Sequence, residues 1–542
     1  MTDIKTILAY LRNNSHKAFF VLTIAMVVGL NILHFNYQEQ MSQGDHGRDL
    51  YAFAQVLHGQ MPYKDFWWVY GPLMPYYYGV FNLLFGVHIS SILLAKVVLN
   101  IICGIFFYLT CTTFTRPALA FFITTWFMQA KQDFFFTYNH LGGAALSLVI
   151  IYYVFAYIEK SSPRFLWIAL ISAFLFILVK INFGLAAIAV TLLSVWLIDR
   201  TYGRPFTPAK KKWYIAGIAI LPLAALLIYG VLLSGLSFHE IRQCMPYFGD
   251  DQPHHVTPWL AIVYYLQQHW LTFVHSPWHF LIGMVLHTAT GAVIYLVFTK
   301  KLPAKQQQDL FLRLGVVGIF FLFYFQEFLV SGVWYRTFWS QPFVMLFHGL
   351  LLATVLPIAH HLLRWAAVMY LWGIMSLSFM GQCMTIHAQR IPPRFLSMPQ
   401  GQIYVGNEGD WIETVATITE YLNTNLKKDE LFFALPYDCI YYYLTGKPSP
   451  TRQLIFFEHI KIPTEQEMSI IRELENKRVN YVLMSNRMAS SETGMGILGK
   501  TYCPLIYSYI TSNFTPVARQ GGNWQKEPGW GDNHGVIIFK RK

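Results

Sequence analysis

Apolar runs long enough to cross a bilayer, repeated along most of the chain, limit its possible folds more than any other feature. About 20 apolar residues are needed for a helix to span the hydrocarbon core. Stretches of that kind, some of them short, lie at 18–34, 89–114, 117–130, 142–158, 165–179, 183–198, 213–234, 277–299, 310–330, 341–358 and 362–381. Backbone polar groups in hydrocarbon must find partners within the segment, which a helix provides. The eleven stretches therefore predict an α-helical polytopic membrane protein with about 11 transmembrane helices. Charged residues avoid these runs: of 40 Lys+Arg and 28 Asp+Glu, 29 fall beyond residue 409. A membrane part, 1–409, is expected to be followed by a smaller water-soluble domain, 410–542.

A net charge of +12 would suit nucleic acid only if the cations shared one face. Here they stand between apolar runs, so nucleic acid is excluded as a partner and the charges set orientation. With the N-terminus inside, sixteen basic groups lie in or beside inner segments, among them Lys5, Arg12, Lys17, Arg116, Lys160, Arg164, Arg200, Arg204 and the Lys210 to Lys212 cluster. Only Arg48, Lys64, Lys131, Lys180, Arg242 and Arg336 lie in outer loops before the tail. The bias predicts a cytoplasmic N-terminus and an extracytoplasmic C-terminal domain. The run 18–34 lacks a small-residue cleavage site and reads as an uncleaved signal anchor. None of the six cysteines has metal-ligand spacing, though Cys439 and Cys503 are a candidate disulfide if the tail is in an oxidising compartment. His254-His255 has no third ligand at a sensible spacing.

The unusual polar residues are on the outer side. In the first outer loop, 35–88, the run Gly44-Asp45-His46-Gly47-Arg48-Asp49-Leu50 opens a helix with Leu50, Phe53, Ala54 and Leu57 on one side and Asp45, Arg48, Asp49 and Gln55 on the other. That pattern predicts an amphipathic helix along the membrane surface, its acids facing a wet cavity. Asp45 is either a proton acceptor or a helix N-cap. Arg48 with Asp49 is either part of a site or a surface salt bridge. Asp65, after Pro62-Tyr63-Lys64, reads as a turn brace or a substrate contact. Asp133 in the second outer loop supplies a second acid on the same side, catalytic or merely interfacial. Lys180 and Arg336, at outer ends of spans, either snorkel or meet a lipid-linked phosphate. Glu240 and Glu327 remain unassigned.

The tail is expected to alternate helices at 411–426 and 464–478 with strands at 431–436, 480–484 and 535–540, a small α/β domain. It has no Gly-x-Gly-x-x-Gly, no P-loop and no Gly-x-Ser-x-Gly elbow, so it reads as a part that covers or recognises substrate.

The first-loop block, Gly44 to Leu50, Leu57-His58-Gly59-Gln60-Met61-Pro62-Tyr63-Lys64-Asp65-Phe66, Tyr70-Gly71-Pro72-Leu73 and Leu84-Phe85-Gly86, resembles that of bacterial GT-C superfamily membrane glycosyltransferases, related to the protein O-mannosyltransferase and aminoarabinose transferase families. Lys180-Ile181-Asn182-Phe183-Gly184 is similar to their Lys-x-x-x-Gly turn, and Leu435-Pro436-Tyr437 and Pro450-Thr451-Arg452 also match. The resemblance implies transfer of a sugar from a polyprenyl-phosphate donor to a lipid or glycan acceptor on the outer face of the cytoplasmic membrane, with inversion. It implies Asp45 as base or metal-associated acid, Asp133 as second-loop acid and Lys180 as a donor-phosphate contact. Arg48, Asp49, Tyr63, Asp65, Tyr70, His140 and Arg336 complete the expected substrate-binding set. Several relatives carry an Asp-Glu or Asp-x-Asp pair where this chain has Asp45-His46, so a divalent cation at Asp45 and Asp133 is left open. The rival classes are a secondary transporter, which needs charged or broken helices near the bilayer midplane, and a membrane-anchored sensor or scaffold.

Overall fold

The computed structural model describes residues 15–35, 39–40, 44–130, 138–245, 256–275, 302–362, 394–405, 411–488, 496–524 and 533–542, with scattered positions between 284 and 299 and between 366 and 380. The chain forms two compact units. One comprises Met1–Asn36, Lys96–Leu226 and His255–Ile386; the other comprises Tyr37–Ala95, Leu227–His254 and His387–Lys542.

Among the described residues, six helices are long and apolar enough to cross a membrane: Ser15–Ile32, Ile89–Thr112, Tyr138–Lys160, Ile181–Thr201, Lys210–Leu232 and Ala304–Ser331. Pro163–Ile177 and Gln341–Val355 are shorter apolar helices. The expected spans at 277–299 and 362–381 fall largely outside the described residues. The multi-pass helical architecture is as the apolar runs predict.

Within the first unit, Pro163–Ile177 and Ile181–Thr201 form a helical hairpin, with Lys180 in an extended conformation between them. The turn is tight because of Gly184: a Cβ there would lie 2.2 Å from the Ile177 backbone nitrogen. Its amide donates to the Lys180 carbonyl at 2.9 Å. Phe176, Phe183, Val190, Val316, Phe320 and Phe343 are fully buried around this hairpin. In a bilayer such side chains stabilise by close packing, since lipid is as apolar as they are. At the far end of the hairpin, Asp199 accepts from the Tyr157 hydroxyl at 3.0 Å and pairs with Lys210 at 2.7 Å. Arg204 donates to the Ile158 carbonyl at 2.9 Å, satisfying an end of the Tyr138–Lys160 helix.

The second unit contains a four-stranded sheet. Strands β1 (Phe432–Leu435) and β2 (Tyr481–Ser485) are parallel, and β3 (Phe514–Gly521) and β4 (Gly535–Arg541) complete the order β1-β2-β4-β3. Phe432 lies opposite Tyr481, and Ser485 opposite Val536. Every residue of β1 and β2 is buried, as expected of strands covered on both faces. Helices Trp411–Asn425 and Thr464–Asn476 pack here through Val415, Ile418 and Leu422, and through Ile470 and Leu474. These elements stand where the sequence predicts them. The edge strand β3 does not, because its exposed Thr515-Pro516-Val517 run carries a proline, which ordinarily argues against a strand and is tolerated only at an edge or bulge.

Two expectations are corrected in this unit. The Asp45–Gln55 helix does not show a polar face to water: Arg48, Asp49 and Gln55 are buried along with Leu50 and Phe53. Its polar side is covered by the tail. A Cβ on Gly47 would stand 2.6 Å from the Ile440 nitrogen, and Tyr51 packs on Tyr442 with ring centroids 5.6 Å apart while its hydroxyl accepts from the Ser449 amide at 2.9 Å. The exposed apolar side belongs instead to the next helix, Leu73–Phe85, at Val80, Leu83, Leu84 and Phe85. Cys439 and Cys503 are both free buried thiols, so the candidate disulfide is absent.

Candidate functional site

Asp45 is the first residue of its helix and not the N-cap. Gly44 holds the cap position, without a side-chain cap bond. The Asp45 carboxylate turns away from the helix end: Oδ1 accepts from the Tyr437 hydroxyl at 2.6 Å and from Arg48 Nη1 at 3.2 Å. Arg48 also donates through Nη1 to the Tyr437 oxygen at 3.0 Å, and through Nε and Nη2 to Asp49 Oδ1 at 2.9 and 2.7 Å. Its guanidinium lies 5.0 Å from the Tyr70 ring centroid and 5.5 Å from that of Trp68, within cation–π range.

Exposure separates the roles. Arg48 is 3 % and Asp49 0 % exposed in their side chains, against 37 % for Asp45. The surface salt bridge considered for Arg48 and Asp49 is thus a buried one, whose desolvation is offset by several hydrogen bonds and two aromatic faces. Asp45 is the one acid of this cluster that solvent reaches. Among the described residues its Oδ2 has no hydrogen-bond partner.

Electrostatics keep Asp45 ionised. Burial alone would raise its pKa, but the Arg48 guanidinium, the Tyr437 hydroxyl, His46 and Arg487 outweigh it and hold the carboxyl below its ordinary range. Arg48 is raised: burial acts to lower it, and Asp49, Tyr437, Asp45 and Tyr70 prevail. Arg487 follows β2, with Nη1 3.1 Å from where a Cβ on Gly44 would stand. Behind it lie Asp438, raised by burial, and His534, lowered by burial and by Arg487 to about 3 and hence neutral. Tyr437, Asp438 and Arg487 all lie just past the carboxyl ends of the parallel strands, the usual ligand edge of an α/β sheet.

The remaining first-loop residues build a turn. Tyr63 has a positive φ of 71°; its hydroxyl donates to the Tyr70 carbonyl and its own carbonyl accepts from Arg452 at 3.1 Å. Arg452 in turn pairs with Glu240 at 3.0 Å. The exposed Asp65 accepts from the Met61 amide at 2.7 Å and so braces the turn.

A second cluster of expected residues lies in the first unit. Lys180 pairs with Glu327, both almost fully buried, and Trp339 Nε1 donates to the other Glu327 oxygen at 3.1 Å. His140 Nε2 is 3.4 Å from Lys180 Nζ, and the Phe183 and Trp339 ring centroids each lie 5.4 Å from that ammonium. Arg336 acts on Lys180 as a like charge. Lys180 has a buried carboxylate partner at a second helix break, where Gln326–Ser331 follows Phe325.

Asp133 and the His254-His255 pair lie outside the described residues. Among the described residues no three His, Cys, Asp or Glu side chains group as metal ligands. Around Asp45 the neighbouring charges Arg48 and Arg487 do not fit a divalent cation. Three functional-looking residues escaped the sequence reading: Tyr437, noticed only as part of a motif, Arg487, and Glu327, left unassigned.

No protein-family model matches the chain, and no curated protein matches it significantly. Solved structures do. The chain is similar to ArnT, an aminoarabinose transferase, from Cupriavidus metallidurans in the apo state, with a TM-score of 0.55 at 13% identity over 97% of this chain and 98% of that one. The same protein bound to undecaprenyl phosphate gives a TM-score of 0.52 at 10% identity, covering 96% and 97%. At this identity the likeness concerns the fold alone.

Proposed function

We propose that this chain is a membrane glycosyltransferase that moves a sugar from a polyprenyl-phosphate donor to a lipid or glycan acceptor on the outer face of the cytoplasmic membrane, with Asp45 as general base. The observation that carries the reading is the state of Asp45: ionised and gripped through Oδ1 by Tyr437 and Arg48, yet 37 % open to solvent, its Oδ2 without a hydrogen-bond partner among the described residues. The likeness to a protein captured with undecaprenyl phosphate supports the donor class.

In this mechanism the acceptor hydroxyl approaches Oδ2 and its oxygen attacks the anomeric carbon from the face opposite the phosphate. The new glycosidic C–O bond forms as the bond to the phosphate oxygen breaks, and polyprenyl phosphate departs with that electron pair. The hydroxyl proton passes to Oδ2. A base so held contributes roughly a hundredfold to ten-thousandfold. The leaving group is already a phosphate, so a strong general acid is unnecessary. Arg48, bonded to Asp49 and Tyr437, serves here by fixing the acid.

The test is Asp45→Asn in a strain deleted for the native gene. Loss of a hexose, pentose or modified sugar from the envelope glycans, at normal membrane abundance of the variant, is the expected result. Unchanged glycan masses would overturn it. One observation favours the transporter reading, the buried Lys180–Glu327 pair at two helix interruptions; retained transfer with lost uptake in the Asp45 variant would select that class.

A further inference from the structure

Tyr437 is more than a neighbour of Asp45. Its hydroxyl has one proton and two contacts: Arg48 Nη1 at 3.0 Å can only donate, so the hydroxyl accepts there and must give its proton to Asp45 Oδ1 at 2.6 Å. The direction of the hydrogen bond is thus fixed by chemistry. The ring is fixed too: Tyr437 is buried two residues past the end of β1, packs edge-on to Phe457 at 5.9 Å, and stands so close to Gly44 that a Cβ there would come within 2.9 Å of its ring. The carboxylate is therefore oriented by a side chain of the soluble tail, 392 positions away in sequence.

We infer that Tyr437 is a positioning residue for the Asp45 base, clamping Oδ1 so that Oδ2 is left to receive the acceptor's proton, with the Arg487 guanidinium as a longer-range support. The inference rests on the reading of Asp45 as base. The charged and titratable groups around Asp45 are His46, Arg48 and Asp49 on its own helix and Tyr70 above Arg48. From the tail come Asp438 and Cys439 beside Tyr437, and Arg487 after β2. Removing the hydroxyl deletes the shortest hydrogen bond to the carboxylate while leaving all these charges in place, and the carboxylate should then hold its proton to higher pH.

The test uses the purified full chain in detergent and needs no substrate. A carbodiimide modifies protonated carboxyls, so the pH midpoint of Asp45 labelling, read by peptide mass spectrometry, tracks its protonation. Tyr437→Phe should raise that midpoint by about one pH unit, the worth of one hydrogen bond to a charged group. Arg487→Gln should raise it by less, and serves if the phenylalanine variant fails to accumulate. In membrane vesicles given a total polyprenyl-lipid extract of the parent strain, the acid limb of the transfer profile should move the same way in Tyr437→Phe, with a plateau about tenfold lower. An unshifted labelling midpoint in both variants overturns the positioning role even where Asp45→Asn abolishes transfer. Conversely, a shifted midpoint combined with full transfer in Asp45→Asn leaves the clamp standing and removes the base.

Discussion

Gly47 shows how single residues set this site. Any side chain there would meet the Ile440 backbone at 2.6 Å, and neither partner is the flexible end of a side chain that can swing aside. Gly47→Ala should therefore separate the loop helix from the Ile440–Thr445 helix, costing about 1–3 kcal/mol, and the check is a lowered thermal midpoint of the full chain in detergent. The same residue explains what was legible in sequence. Gly44, Asp45, Gly47 and Arg48 form a local motif, so the acid and the arginine that contacts it could be singled out together from sequence. Tyr437 and Arg487 act across hundreds of positions, and no spacing rule links them to Asp45. Tyr63, expected from sequence as a substrate contact, has a positive φ and bonds to Tyr70 and Arg452 that give it a fixed place in a turn, which no sequence pattern announced.

At the scale of elements, apolar runs reported helices well and strand composition reported the two buried parallel strands. Periodicity failed on the loop helix for a definite reason: it tells which residues share a face but not what covers that face. The polar face of Asp45–Gln55 looked like a solvated one because the covering residues come from the tail. The helix breaks at Lys180 and Phe325 raise a separate point. Each exposes backbone ends in apolar surroundings, and each carries one partner of the Lys180–Glu327 pair. Removing one partner leaves a lone buried charge. Lys180→Met should cost about 3–5 kcal/mol, whereas the double variant Lys180→Met with Glu327→Leu should recover much of that loss. A double-mutant cycle of thermal midpoints measures the coupling; additive losses would show that the pair contributes nothing of its own.

For the whole molecule, the notable fact is that one compact unit draws on three stretches of sequence: the first loop, the segment 227–254 and the tail. Arg452 pairs with Glu240, Gln243 bonds Gln466 at 2.8 Å, and Tyr51 packs on Tyr442. A protease site engineered into 406–410 should accordingly be cut without releasing the tail from purified protein, as judged by co-elution of the two fragments. Expressed alone, 410–542 should aggregate, because residues such as Tyr442 and Ile440 would lose their cover. A consequence follows for biosynthesis. The ribosome makes Asp45 early and Tyr437 late, so a nascent or prematurely terminated chain carries the carboxylate without the tail hydroxyl that bonds it in the finished unit; on the proposed reading of Asp45 as base, the full site is assembled only when synthesis is nearly finished.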